Sequence, residues 1–205
     1  MSTSSSFLAA LSSRRTYYSL SKKPILSDAK VTELVQEAVK HSPSSFNSQS
    51  SRVVILLGKE HDDYWNEIVP QELKKVASPD KLQTGLDRVK TFQPGYGTIL
   101  FFEDEKVIDE FREKVPSFSD RFTTWSLHST GMAQLSVWIA LETEGYGANL
   151  QHYGNLSQEA IKLKYDLPKS WSLQAELVFG HIEAPPKQKG FVPDGERVKV
   201  FGSDS

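Results

Sequence analysis

The sequence predicts a layered α+β or α/β sandwich with few strands and much helix, and three observations lead there. Helical periodicity covers most of the chain. Four short stretches of strand character are each separated from the next by helical sequence. One long helical stretch is apolar around much of its circumference.

Taken in order, Phe7-Leu8-Ala9-Ala10-Leu11 within residues 5–12 reads as a short helix with serines available to cap it. A second helix is predicted over residues 28–40, where Val31, Leu34, Val35, Ala38 and Val39 recur on one face and Ser27 stands at the cap position. Val53-Val54-Ile55-Leu56-Leu57 is a continuous apolar run that predicts an interior strand. Helical pattern returns over residues 62–76, with Pro70 expected to break or kink it, and over 79–90, opened by Pro79 at a first-turn position. A strand over 98–103 and a helix over 105–114 follow.

The longest helix is predicted from about residue 120 to 144, closed by Gly145 at the left-handed cap position. Its Phe122, Trp125, Met132, Leu135, Trp138, Ile139 and Leu141 call for burial on two sides. Either it is the central helix of a large monomer or it is shared across a subunit interface, where aromatic residues are enriched. Strands over 148–151 and the well-alternated 172–182 come next. After Pro185-Pro186 the tail keeps apolar residues to Val198-Lys199-Val200-Phe201, which predicts that it is docked.

The 205 residues suit one domain spanning 1–205, which by surface-to-volume scaling buries roughly 70% of the surface its unfolded chain exposes. Lys plus Arg total 24 against 26 Asp plus Glu, so neither nucleic acid nor an anionic membrane is an expected partner. With no cysteine, disulfides, thiolate metal sites and cysteine nucleophiles drop out, and redox chemistry needs a bound cofactor. The start of the chain has neither the basic leader nor the apolar stretch of a signal peptide, and no run of about 18 apolar residues occurs. A cytoplasmic protein is expected, with the nucleus open as a second compartment. No His-x-x-x-His or Glu-x-x-His pair supports a metal, and no Gly-x-Ser-x-Gly elbow supports a serine hydrolase.

Four segments could carry chemistry. In His41-Ser-Pro-Ser-Ser-Phe-Asn-Ser-Gln-Ser-Ser-Arg52, the side chains of Ser44, Ser45, Asn47 and Gln49 can both donate and accept, as the carbonyls and nitrogens of a flat heteroaromatic ligand require. A Ser-rich turn bonding its own backbone accounts for the same composition. Arg14-Arg15-Thr16 offers guanidinium forks beside a hydroxyl, suited to phosphate, and Lys187-Gln188-Lys189 is a second cationic pair. Together, if the tail returns to the first segment, they make a far better phosphate site than either alone. The fourth, Glu144-Gly145-Tyr146-Gly147-Ala148-Asn149-Leu150-Gln151-His152-Tyr153, is either a backbone that lies close to a flat ligand or a helix stop followed by an edge strand. His152 within it reads as a structural hydrogen-bonder.

In this order and spacing, Arg14-Arg15-Thr16, Pro43-Ser44-Ser45-Phe46-Asn47-Ser48-Gln49, the Gly-rich helix end and the basic segment near the terminus resemble the FMN-dependent nitroreductase family over nearly the whole chain. The similarity is strongest to its small fungal and bacterial branch, through Ser45 to Gln49, Leu150 to Tyr153 and Leu177 to Gly180. Fungal members of that branch are implicated in lipid and oxidative-stress responses.

The resemblance implies a three-layer α/β/α sandwich with a mostly antiparallel central sheet and a long central helix, in an entwined homodimer with FMN at the interface. It implies that Arg14 and Lys189 hold the FMN phosphate, with Arg15, Thr16 and Lys187 nearby. Ser44, Ser45, Asn47 and Gln49 would reach the ribityl chain and ring from the partner, and Leu150 and Gln151 would lie beside the N5 edge. Tyr18, also at the cofactor, stands where a basic residue is usual, and Lys189 stands where Arg is common.

The implied activity is reduction of nitroaromatics or quinones with NADH or NADPH by a ping-pong route through flavin N5, with small aromatic acceptors and no catalytic side chain. The rival is a non-catalytic flavin- or lipid-responsive binding protein using the same dimeric pocket.

Overall fold

A computed structural model describes residues 4–202. The chain opens with α1 (Ser5–Ser13), β1 (Leu20–Ser21) and α2 (Asp28–His41), the last capped as predicted by the Ser27 hydroxyl, which accepts from Lys30 N–H at 3.3 Å. A short turn leads into β2 (Ser51–Leu57) and α3 (Lys59–Asp63). A wide helical turn at Tyr64–Ile68 then joins α3 to α4 (Val69–Val76). Pro70 therefore distorts the helix without breaking it: it has no N–H to donate, and the widened turn lies directly before it.

The chain continues through α5 (Pro79–Lys90), β3 (Gly97–Asp104), α6 (Glu105–Lys114), α7 (Phe122–Thr143) and β4 (Tyr146–Gln151). It ends with α8 (Gly154–Tyr165), β5 (Trp171–Ile182) and the single turn α9 (Asp194–Arg197).

Strand β5 is the centre of the sheet. It pairs antiparallel with β3, β4 and β1, and β2 pairs antiparallel with β3 at the far side. Side chains alternate along β3: Leu100 and Phe102 enter one core with Tyr64, Trp65, Val69, Phe92 and Ile161, while Ile99 and Phe101 enter the other with Val31, Val35, Val137 and Leu141. The first core seats α4, α5 and α8, and the second seats α2 and α7, which gives the three-layer α/β/α sandwich that the family resemblance implies.

Three expectations need correction. Val53–Leu57 is an edge strand and not an interior one, because it hydrogen-bonds β3 alone; helices on both faces explain its unbroken apolar run. Beyond Gly190 the tail leaves Phe191, Val192, Val198, Val200 and Phe201 exposed in this chain, with Phe191 and Arg197 only bordering a cavity beside Leu8 and Leu11 of α1, so the apolar tail is not buried as expected. Helix α8 and the two-residue β1 have no counterpart in the predicted elements: α8 buries only Gly154, Ser157 and Ile161, too thin a stripe to read as periodicity.

Helix α7 keeps its double-sided character. Phe122, Ala133, Val137 and Leu141 are buried, while Leu127, Met132 and Leu135 on other faces remain about 40% exposed or more. Among the described residues no helix is long and apolar enough to cross a membrane.

Candidate functional site

The segment after α1 is steered into the sheet by its backbone. Arg14 N–H donates to Ala10 carbonyl oxygen at 3.1 Å to close the helix, and Thr16 then bridges in parallel to Ala148 of β4. Tyr17 N–H donates to Ala148 carbonyl oxygen at 2.9 Å, and Asn149 Nδ2 donates back to Tyr17 carbonyl oxygen at 2.8 Å. The amide of Gln151 is engaged in turn, donating to Asn149 Oδ1 at 2.8 Å. One continuous hydrogen-bonded strip thus runs from the first basic segment to the end of β4.

The tail returns to this strip. The guanidinium of Arg15 donates to the Lys187 carbonyl oxygen, and Arg14, Arg15, Thr16, Tyr18, Lys187, Gln188 and Lys189 line one cavity of about 270 Å³. The two basic clusters, far apart in sequence, meet as predicted. No carboxylate lines this cavity, and among the described residues the Arg14 guanidinium and the Lys187 and Lys189 ammonium groups have no salt-bridge partner. Such a cleft of forked and point cations beside a hydroxyl suits a phosphate monoester.

The amide-rich turn occupies a different place. Phe46, Asn47 and Gln49 all have positive φ, at 55°, 52° and 50°, a backbone conformation uncommon for residues other than glycine. Ser44 Oγ accepts from Gln49 N–H at 2.9 Å and Ser129 Oγ of α7 accepts from Ser45 N–H at 3.3 Å. The side chain of Phe46 lies among Phe111, Phe118, Phe122 and Trp125, with ring centroids 5.7–6.5 Å away. The self-bonded Ser-rich turn is therefore part of the answer. Yet the side-chain polar groups of Ser45 and Asn47 have no hydrogen-bond partner among the described residues, and Asn47 and Gln49 are exposed. Ser44 and Gln49 line a cavity of about 180 Å³ with Ser42, Arg52 and Ser129, separate from the cationic cleft.

The glycines of the fourth segment have structural reasons of their own. Gly145 takes φ 94° at the end of α7, and a Cβ on Gly147 would lie 2.7 Å from Ile182 and 2.9 Å from Tyr17. This agrees with the helix stop and strand of the second reading, β4 pairing with β5 on one side and meeting only the Thr16–Tyr17 segment on the other. His152 is exposed and its ring makes no hydrogen bond among the described residues, so it is not a structural hydrogen-bonder in this chain.

Beneath the end of β4 lies an unpredicted group. Glu176 of β5 is fully buried, opposite Gln151 in register, and accepts from Tyr153 N–H at 2.9 Å and Tyr64 hydroxyl at 3.1 Å. Burial pushes its carboxyl up to about 7 against the pull of those donors. Arg88 of α5 was equally invisible in the sequence: its guanidinium lies 4.7 Å from the Tyr18 ring and 5.1 Å from the Phe92 ring. A cation from another element thus stands beside the position where a basic residue is usual. Among the described residues no cluster of His, Cys, Asp or Glu could hold a metal.

The architecture is a three-layer α+β fold with a mostly antiparallel sheet. It matches nitroreductase CinD from Lactococcus lactis, solved with chloramphenicol, with a TM-score of 0.88 and 41% identity over 95% of this chain and 99% of that one. The chain belongs to the Nitroreductase family, whose model matches residues 11–181. Relatives agree: HBN1 of Saccharomyces cerevisiae is 36% identical over 98% of this chain and 100% of its own length, and the yeast nitroreductase FRM2 is 34% identical over 94% and 96%. A solved nitroreductase from S. cerevisiae matches with a TM-score of 0.75 and 32% identity over 88% of this chain and 97% of that one. Membership places the chain among oxidoreductases that act on nitro compounds.

Proposed function

We propose that the chain is an FMN-dependent NAD(P)H oxidoreductase that reduces nitroaromatics and quinones at a site shared between two copies of itself. The observation that carries this reading is the carboxylate-free cleft in which Arg14, Arg15, Thr16, Lys187 and Lys189 converge. Its donor set fits the phosphate of FMN. When bound, the flavin supplies hydride transfer through N5, first from NADH or NADPH and then to the acceptor, which gives ping-pong kinetics.

The chain's own residues do the rest. Arg14 and Lys189 hold the phosphate, with Arg15, Thr16 and Lys187 closing the cleft and Tyr18 at its ring-side end. Leu150 and Gln151, on the strip that Asn149 ties to Tyr17 and Gln151, would lie beside the N5 edge, where a backbone donor near Gln151 would stabilise developing negative charge. Ser44, Ser45, Asn47 and Gln49 line or flank a cavity other than this chain's own cleft, and the turn they form, with the side-chain polar groups of Ser45 and Asn47 unbonded, serves the cleft of a second copy. The apolar faces of α1 and α7, with Phe7, Leu8, Met132 and Leu135 exposed, form the contact between copies. The nitroaromatic acceptor class is supported by CinD, which has also been solved with 4-nitrophenol.

The test is spectroscopic. Purified protein should be yellow with the flavin absorbance bands, bleach under anaerobic NADH or NADPH, and recover on addition of a nitroaromatic. Initial-rate plots at several acceptor concentrations should be parallel. Yellow protein that never bleaches would make it a flavin-binding protein, and colourless protein that takes up no FMN would end both readings.

A further inference from the structure

Helix α7 carries a device aimed at the two N-terminal arginines. Trp138 and Glu142 stand one turn apart, and the indole Nε1–H donates to Glu142 Oε1 at 2.7 Å. The other carboxylate oxygen accepts from the backbone N–H of Arg15 at 2.9 Å. On the same indole, the guanidinium carbon of Arg14 lies 4.4 Å from the ring centroid. One tryptophan therefore does two jobs: its edge fixes the carboxylate that pins the Arg15 backbone, and its face carries Arg14.

The chemistry of that stacking matters. A guanidinium lying over an aromatic face keeps its N–H groups directed outward in its own plane, whereas a carboxylate partner would occupy them. Arg14 has no hydrogen bond to its guanidinium and no ion pair among the described residues, although Glu142 lies close enough to interact with it through space. The carboxylate is absent from the lining of the cationic cavity and is held by Trp138 and the Arg15 amide instead. Glu142 thus shapes the cleft without competing for its cations.

We infer that Trp138 and Glu142 are positioning residues for the phosphate group of the cofactor: stacked Arg14 and pinned Arg15 are oriented by α7 so that their donors face a phosphate monoester. This rests on the FMN reading above. It adds that a helix otherwise assigned to the core and the subunit contact sets selectivity for the phosphorylated flavin.

Flavin fluorescence titration of the full-length, flavin-stripped chain with FMN and with riboflavin, which lacks the phosphate, tests it. Wild type should bind FMN more tightly. Trp138→Leu should cut the FMN-to-riboflavin affinity ratio by about tenfold, with riboflavin affinity held. Trp138→Phe, which keeps an aromatic face and loses the N–H, should cut it by roughly half that factor. Glu142→Ala should lower the ratio, while Glu142→Gln, which keeps an acceptor for the Arg15 amide, should restore most of it. Should Trp138→Leu fail to fold, Trp138→Phe and Glu142→Ala carry the same test. A ratio unchanged in the two Trp138 variants and in Glu142→Ala, or equal loss for both flavins, would overturn the positioning role. A wild type that does not distinguish the two flavins would overturn the phosphate reading beneath it.

Discussion

The cationic cleft closes within one chain, with Arg14, Arg15, Lys187 and Lys189 lining one cavity, whereas the amide-rich turn is fully shaped in the same chain but faces a different cavity. The cleft is held by backbone pairing to β4 and by α7; the turn is held by aromatic packing around Phe46 in spite of three left-handed residues. In the proposed reading, the cleft of one copy takes the preformed turn of another, so the site needs two copies. The exposed face of α7 is the proposed contact between them.

The largest effect should come from separating the copies. Leu135, 39% exposed on α7, replaced by Asp puts a charge into the proposed contact. Leu135→Asp should convert a dimer to a monomer in sedimentation velocity and lower FMN affinity by on the order of a hundredfold, because the partner's turn is lost. A variant that stays dimeric would show that α7 is not the contact. A monomer that keeps its FMN would show that one chain suffices and would dissolve the distinction between the two regions.

Next comes the cleft itself. Arg14→Ala should weaken FMN binding about ten- to a hundredfold, as expected for the loss of hydrogen bonds from a charged donor, with the dimer intact. Unchanged affinity by equilibrium dialysis would remove Arg14 from the phosphate site.

A third prediction concerns the buried carboxyl beneath β4. Glu176 is raised to about 7 in the folded chain from an ordinary 4.5, so between those pH values the folded state holds a proton that the unfolded state has released. Stability therefore falls as pH rises from about 4.5 to 7, by up to about 3 kcal/mol for a shift of this size. His61, pushed by burial to about 4 from 6.5, works the other way: its contribution is lost as pH falls through that range. The two oppose one another, so the comparison is between proteins. In urea unfolding at pH 5 and pH 8, Glu176→Gln should lose less stability at the higher pH than wild type does. Equal pH dependence in both proteins would mean that Glu176 titrates normally.

How much of this was written in the sequence depends on range. Helix α2 and strands β3 and β5 were legible because each has a clear local period or apolar run, and the cleft was legible because its cations come in two short clusters. Trp138, Glu142, Arg88 and Glu176 were not, because what they do lies in contacts across the fold: Glu142 meets Arg15 127 positions away, and Arg88 reaches Tyr18 from another helix. Trp138 reads in sequence only as one more apolar residue on α7, and Glu176 as a polar member of an alternating strand. The edge position of Val53–Leu57 was hidden because helices cover both its faces, so its composition matches that of a central strand.

The smallest effect separates the shape of the turn from its anchoring. At φ 55°, Phe46 bears a backbone cost of about 1–2 kcal/mol that glycine would not. Against this, its half-exposed ring meets four aromatic neighbours, each such pair contributing about 0.5–1.5 kcal/mol beyond buried area. In Phe46→Gly the relief of backbone cost and the loss of ring contacts nearly offset, so global stability by urea unfolding should shift by no more than about 1–2 kcal/mol. The turn nevertheless loses its tether to α6 and α7 and gains conformational freedom that binding must remove. FMN affinity should therefore drop severalfold, with the FMN-to-riboflavin ratio unchanged because the phosphate cleft is untouched. A changed ratio would tie the turn to the phosphate, and an unchanged affinity would mean that Asn47 and Gln49 are ordered by the flavin and not beforehand.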